Sequence, residues 1–405
     1  MTAQPLELAD ILREYTPAFL DAYGATTSPE QRRVLRDLVR CRTAELGGHV
    51  EACDGCGHQR IAYNSCRNRH CPRCQAAARA EWLDQRAAEL LNTEYFHVVF
   101  TLPAELGQLA LQNQRLVYGT LLQASAQSLL QLARDPRHLG ADIGFLSVLH
   151  TWGQNLHLHP HVHCVVPGGG ISLEGDRWVS CRPGFFLPVR PLSRLFRGKF
   201  LAMLQRGYDQ GHLGFHGQQQ HLADPQAFHA LLEACWQTEW VVYAKPPFGG
   251  PEQVLKYLAR YTHRVAISNA RLVKVQDDQV FFRWKDYAHG NQQKVMALEA
   301  VEFIRRFLLH VVPSGFVRIR HYGLQANRVR TENLARCRAL LGQGQGSGTG
   351  GATQPQQPPR SSQIEAKTRC PVCGQGHMVI VGKVEPAVCD RREAEGKAVE
   401  AADTS

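Results

Sequence analysis

Hydrophobic and polar positions alternate between helical and strand periods along the chain, which divides it before any chemistry is considered. Leu6, Ile11, Leu12 and Phe19, then Val34, Leu35, Leu38 and Val39, recur at helical spacing and predict two helices between about Pro5 and Arg40. Ser28-Pro29-Glu30 gives the second a capping serine and a first-turn proline. A helix is predicted from Gln75 to about Leu91, a strand over Tyr95–Thr101 and a core-packing helix over Leu109–Leu132. Ile143–Thr151 reads as a strand, and an extended stretch, Leu156–Gly170, follows after a short loop. Strands connected in this way pair antiparallel. Gly168-Gly169-Gly170 is expected to turn the chain sharply. No helix-starting lysine motif follows it, so it does not read as a phosphate cradle.

Further on, Arg177 to about Asp224 is basic and carries no assignable chemistry, and Trp240–Lys245 reads as a strand. The segment PEQVLKYLARYTHR reads as a helix. Val265–Val275, Gln279–Lys285 and Val295–Leu298 predict a three-strand meander, Glu302–His310 an amphipathic helix and Phe316–Arg320 a strand. Gly342–Gln363, rich in Gly, Gln, Pro and Ser, predicts a flexible linker. The expected division is a helical segment (1–40), a cysteine-rich module (41–90), a larger domain of mixed helices and strands (91–335), a linker (340–365) and a C-terminal tail (366–405).

Composition changes this picture in two ways. A formal net charge of +10 over 405 residues favours a polyanionic partner, nucleic acid first. Most of the 13 cysteines lie among histidines and basic residues, a pattern of metal ligation in a reducing compartment and not of a disulfide framework. The N-terminus has neither a signal-peptide layout nor an apolar run long enough to cross a membrane, so a cytoplasmic protein is expected.

The extended stretch LHLHPHVHCVVPGGG places His157, His159, His161 and His163 at alternate positions. Alternate side chains of a strand leave the same face, so His161 and His163 point one way while Val162, Cys164 and Val166 point into a core. Two imidazoles on an open sheet face suit a metal ion. Pro160 is expected to break the pairing before His161, which favours that pair over the full set of four. Gln154, in the preceding loop, is the first choice for a third ligand and His159 the second.

Cys53-x-x-Cys56 and Cys71-x-x-Cys74, separated by a β-like stretch, read as the two knuckles of a zinc ribbon. Cys41, His49, Cys66 and His70 would complete a second ligand set, so one or two zinc ions are expected, and spacing does not settle which residues share which ion. Arg67, Arg69 and Arg73 are interleaved with the ligands and favour DNA contact. Cys370 and Cys373 form a third knuckle, with His377 and Cys389 as its expected completions. In the helix PEQVLKYLARYTHR, Tyr257 and Tyr261 are four apart and share a face, beside an apolar stripe and a basic stripe of Lys256, Arg260 and Arg264. A phosphate could approach two phenols so placed; packing is the usual fate of such tyrosines.

Taken together, CRNRHCPRC, HPHVHCVVPGGG and YLARYTHRVAISN resemble the two-tyrosine rolling-circle transposases of bacterial insertion sequences. These are HUH endonucleases, named for histidine, hydrophobic residue, histidine. The resemblance runs from about Arg40 to Arg330. It implies that His161 and His163 hold Mg²⁺ or Mn²⁺ against a scissile phosphate, and that Tyr257 and Tyr261 are nucleophiles forming 5′-phosphotyrosine links. The substrate would be single-stranded or locally melted DNA at the element's ends. The expected fold is α+β, an antiparallel sheet with helices on one face, preceded by the zinc module. Two rival readings are a non-catalytic zinc-dependent DNA-binding protein and a metallohydrolase, the latter requiring a third strong ligand and a carboxylate base.

Overall fold

The computed structural model describes residues 5–245, 253–254, 265–286, 290, 292–343 and 369–387. Its centre is a five-stranded antiparallel sheet. In chain order its strands are β3 (Tyr95–Thr101), β5 (Gly144–Trp152), β6 (Leu158–Pro167), β9 (Val242–Lys245) and β13 (Ile319–Gly323), arranged β13-β5-β6-β3-β9. Three smaller sheets flank it: β1 (Gly48–Cys53), β2 (Gln59–Tyr63) and β14 (Met378–Val384); β4 (Ala141–Asp142), β7 (Gly169–Ser172) and β8 (Trp178–Ser180); and β10 (Leu272–Gln276), β11 (Gln279–Asp286) and β12 (Gln292–Glu299). Among the described residues the helices are α1 (Leu8–Tyr23), α2 (Pro29–Val39), α3 (Pro72–Ala87), α4 (Gly107–Gln112), α5 (Gln114–Arg134), α6 (Val189–Asp209), α7 (Pro225–Gln237), α8 (Ala300–Leu308) and α9 (Arg330–Gln343). The fold is α+β, as the mixture of periods predicts.

The two faces of the central sheet have different fates because alternate residues divide between them. Phe96, Val98 and Phe100 of β3, Phe145 and Leu149 of β5, and Val162, Cys164 and Val166 of β6 enter the main core. There they meet Val117, Leu121 and Leu129 of α5 and Phe196, Phe200 and Leu204 of α6. The opposite face carries Leu146 and Val148 of β5 and Val165 of β6, covered in a smaller cluster by Val254. The histidines continue that second face.

A second core ties the chain's N-terminal helices to its C-terminal half. Leu8, Ile11 and Leu12 of α1 and Leu35 and Leu38 of α2 share it with Val280, Phe282, Phe303 and Phe307. Cys41, Cys71 and Cys74 form part of its wall, and Leu156, at the tip of the β5–β6 hairpin, is sealed inside it. The second helix starts as read, on a capping box between Ser28 and Gln31.

Several expectations need correction. β6 runs through Pro160, because β3 stops at Thr101 opposite His161 and the β5 ladder is irregular between His150 and Trp152, so a missing N–H there interrupts no regular pairing. Gly169 and Gly170 sit in β7 and do not turn the chain; a Cβ on Gly170 would strike the Asp142 carbonyl, so glycine serves close strand approach. In the stretch Val265–Val275, regular pairing begins only at Leu272. Gly342–Gln363 apart from its first two residues, Tyr257, Tyr261, Lys256, Arg260, Arg264 and Cys389 lie outside the described residues.

Candidate functional site

The histidine face is built by strand register. β5 and β6 pair with Val148 opposite His163 and His150 opposite His161, so three imidazoles stand together on one face. Their ligand atoms all lie within 4.8 Å of one another. Ring centroids are 4.6 Å apart for His150–His163, 4.7 Å for His161–His163 and 5.5 Å for His150–His161. His150 and His163 are buried and His161 is half-buried, so the cluster opens to one side.

Hydrogen bonds fix which nitrogens face the cluster. His161 Nδ1 lies 2.6 Å from the His159 carbonyl oxygen, which can only accept, so Nδ1 carries the proton and Nε2 keeps its lone pair. His163 Nδ1 lies 2.8 Å from Nε2 of His97, a buried residue of β3 one strand away. Burial, with Lys245 and His161 nearby, holds His97 far below the ordinary imidazole range, at about 3, so it is neutral and able to accept. Ligating histidines are commonly oriented by a partner on the second ring nitrogen in this way. The arrangement fits a metal ion.

The surrounding cleft has a volume of about 470 Å³, with Lys245 and Lys285 beside the histidines and Trp152 and Trp284 in its walls. Among the described residues no Asp or Glu lines it. Gln154 borders the cleft and its carbonyl is held by Arg271, whereas the third imidazole beside the pair comes from His150 and not from His159, which is exposed. His157 faces elsewhere, 2.9 Å from Arg306 Nη1. Sequence reading missed His150. The signal was present: a short antiparallel hairpin between two recognised strands puts His150, near the end of one, opposite His161, near the start of the other.

Among the described residues, eight cysteines form two four-sulfur clusters, grouped otherwise than expected. Cys41, Cys66, Cys71 and Cys74 form one; Cys53, Cys56, Cys370 and Cys373 form the other. The Cys53 and Cys71 knuckles therefore do not share a ligand set. In the first cluster, Sγ separations are 3.7 Å (Cys41–Cys71), 3.8 Å (Cys41–Cys74) and 3.6 Å (Cys66–Cys74). A tetrahedral zinc site with bonds of about 2.3 Å has sulfur–sulfur edges of about 3.8 Å. Crowding also divides the thiols: interaction with Cys66 draws Cys41 down to about 7, whereas Cys41 pushes Cys66 and Cys71 up. With all four sulfurs as thiolates at this spacing, a cation between them would be required, and the spacing fits zinc. His49 instead pairs with Glu51 at 3.1 Å, and His70 is buried beside Arg69 and Arg318, outside both clusters. Of the interleaved arginines, Arg67 is exposed, Arg69 donates to the Phe316 carbonyl at 2.5 Å and Arg73 pairs with Glu7 at 3.1 Å.

An N-terminal metal module followed by an antiparallel sheet with an imidazole cluster defines a class that comparison with known proteins makes specific. A family described as "Transposase zinc-binding domain" matches residues 11–102, and one described as "Putative transposase" matches residues 144–333. "Putative transposase y4qJ" of Sinorhizobium fredii is 56% identical over 93% of this chain and 94% of its own length. The transposase for insertion sequence element IS801 of Pseudomonas savastanoi is 26% identical over 72% of this chain and 69% of its own. The chain belongs to this family of insertion-sequence transposases with an N-terminal zinc-binding domain. Among solved structures, the conjugative relaxase TrwC in complex with oriT DNA is 13% identical, covering 60% of this chain and 71% of that one, with a TM-score of 0.22. A score that low carries no inference about fold or function.

Proposed function

We propose that this transposase cuts and rejoins single-stranded or locally melted DNA at the ends of its element, through 5′-phosphotyrosine links on Tyr257 and Tyr261, in a rolling-circle mode. The observation that carries this reading is the cluster of His150, His161 and His163 on the open face of the central sheet. Val254 packs on that same face with Leu146, Val148 and Val165. On the helix predicted from the sequence, Tyr257 and Tyr261 stand three and seven positions after Val254, which is helical spacing for a shared face.

A divalent ion held by His150, His161 and His163 would polarise an oxygen of the scissile phosphate and orient it. Of Mg²⁺ and Mn²⁺, the latter suits three nitrogen donors better, since Mg²⁺ prefers hard oxygen ligands. A tyrosine Oη attacks phosphorus and loses its proton; the phosphorus–O3′ bond breaks, and the departing O3′ takes up a proton as a free hydroxyl. The phosphodiester's energy is kept in the tyrosyl ester, so attack by another 3′-hydroxyl reverses the step without ATP. A free phenol has a pKa of about 10, and Lys256, Arg260 and Arg264 would favour the phenolate. Lys245 and Lys285 border the cleft where phosphates would lie, and the half-buried Trp284 offers a face for an unstacked base. The zinc-binding module, including exposed Arg67, would hold duplex or hairpin DNA upstream. A metallohydrolase would need a carboxylate base, and none lines the cleft among the described residues.

The test is incubation of the full chain with labelled single-stranded element ends and Mn²⁺, followed by peptide mapping of any covalent adduct. Adducts on Tyr257 and Tyr261 are expected, one lost in each single Tyr→Phe variant and both in the double variant. DNA attached to neither tyrosine would sink the mechanism. Equal transposition by both Phe variants would return the rings to packing.

A further inference from the structure

The second cysteine cluster joins the two ends of the chain. We propose that Cys53, Cys56, Cys370 and Cys373 hold a structural zinc ion of their own, and that this ion clasps the C-terminal segment 369–387 onto the N-terminal module. The inference is independent of the chemistry at the histidine cluster.

Distances support it first. Cys53 and Cys373 sulfurs are 3.7 Å apart across 320 residues of sequence, and those of Cys56 and Cys370 are also 3.7 Å apart. That is the edge of a zinc tetrathiolate, about 3.8 Å, and far from the roughly 2.05 Å of a disulfide. All four sulfurs fall within 4.8 Å of one another.

The two knuckles are also built alike. Each Cys-x-x-Cys is followed by a glycine in the left-handed region, Gly57 at φ 73° and Gly374 at φ 66°. Backbone N–H groups aim at the sulfurs in both: Gly55 and Cys56 donate to Cys53 Sγ, Val372 to Cys370 Sγ and Gly376 to Cys373 Sγ, each at 3.4 Å. Such donors favour thiolates over thiols. Between the halves, the His377 N–H donates to Asp54 Oδ1 at 2.7 Å, and the Asp54 N–H donates to the His377 carbonyl at 3.0 Å. Gly376 permits this approach, since a Cβ there would lie 2.5 Å from Cys53 Sγ.

Apart from the sulfurs, the segment is held by backbone pairing and little apolar burial. β14 pairs antiparallel with β1, with Cys53 opposite Met378, but among the described residues the buried apolar group beneath is small: Cys53, Cys370 and Met378, with Cys373 packed against it. Val379, Ile380 and Val381 are exposed. A strand so weakly packed is held by its metal, as small zinc modules are. The third knuckle noted in the sequence is thus completed by Cys53 and Cys56, not by His377.

Metal analysis of the full chain tests the site. With one ion in each cysteine cluster, a mercurial thiol reagent should release two thiolate-bound zinc ions per chain from the wild type, a count that leaves out any ion on the histidines. One should remain in Cys370→Ser/Cys373→Ser, one in Cys53→Ser/Cys56→Ser, and still one when the four changes are combined. Loss of a second ion on combination, an unchanged content in the C-terminal variant, or iron in place of zinc would overturn the assignment. Cobalt substitution gives a second readout for any variant that folds poorly: the thiolate-to-cobalt absorption should halve in the Cys370/Cys373 variant. A site-specific protease sequence introduced between 350 and 360 tests the clasp. After cleavage, the C-terminal fragment should co-elute with the body in zinc and separate in the Cys370/Cys373 variant. Separation of the cleaved wild-type fragment in zinc would refute the clasp.

Discussion

Replacing His97 should weaken the histidine site without removing any of its three imidazoles. His97 reaches His163 from the neighbouring strand, Nε2 to Nδ1 at 2.8 Å, with its side chain only 1% exposed. Phenylalanine keeps the ring volume but cannot accept a hydrogen bond. A buried donor that loses its acceptor costs about 1–3 kcal/mol, and loss of a partner behind a metal ligand costs about 10–100-fold in affinity, or roughly 1.4–2.7 kcal/mol. The two estimates coincide, so Mn²⁺ affinity should fall by about 10–100-fold in His97→Phe. His97→Gln retains an acceptor oxygen and should recover most of the loss. The measurement is titration of the full chain with Mn²⁺, free ion being followed by electron paramagnetic resonance, with zinc content checked separately. A Phe variant whose affinity stays within about twofold of wild type would refute the positioning role. Equal losses in Phe and Gln would assign the effect to packing.

Cys71→Ser should release the zinc held with Cys41, Cys66 and Cys74 and destabilise the second core, whose wall includes Cys41, Cys71 and Cys74; retention of full zinc content would contradict it. Gly170→Ala should cost about 1–3 kcal/mol by overpacking against the Asp142 carbonyl, seen as a lowered midpoint in urea. His150→Ala should abolish Mn²⁺-dependent cleavage while zinc content stays unchanged, and full activity would remove His150 from the site. His310 is wholly buried, its Nε2 3.1 Å from the Leu156 carbonyl and its Nδ1 3.3 Å from Thr151, and burial depresses it to about 4 from 6.5. The unfolded chain then binds the extra proton between those values, so stability is fully present above about pH 6.5 and falls by about 3 kcal/mol on acidification to pH 4; His310→Gln should flatten that part of the stability curve, and an unchanged slope would show that this group is not the cause.

How far the sequence could be read followed the range of the interaction concerned. Helices α1, α2 and α8 and strands β3, β5 and β6 announce themselves by local period, because the same residues that set the period fill the cores. His161 and His163 were legible for that reason: their own strand suffices to put them on one face. His150 depends on the register between two strands, which a short loop constrains but does not state, and that register makes the difference between a pair of imidazoles and a cluster of three. His97 is a step further away, carried by a strand that approaches β6 only after the long helix, the β5 strand and the hairpin have intervened.

The cysteines carry the same lesson over greater distance. Spacing within Cys-x-x-Cys is local and marks each knuckle, but a knuckle supplies two of four ligands, and its complement is chosen by tertiary pairing. Neighbours in sequence suggested Cys53/Cys56 with Cys71/Cys74; the structure groups Cys71/Cys74 with Cys41 and Cys66, where α2 and α3 meet the second core. The Cys53 knuckle meets one 320 residues further on. A signal for that choice was local after all. Cys53–Gly57 and Cys370–Gly374 both read Cys-x-x-Cys-Gly, whereas Cys71–Gln75 lacks the glycine and starts a helix at Pro72. Here the two knuckles that turn back through a left-handed glycine lie against each other, and the one that runs into a helix lies with Cys41 and Cys66.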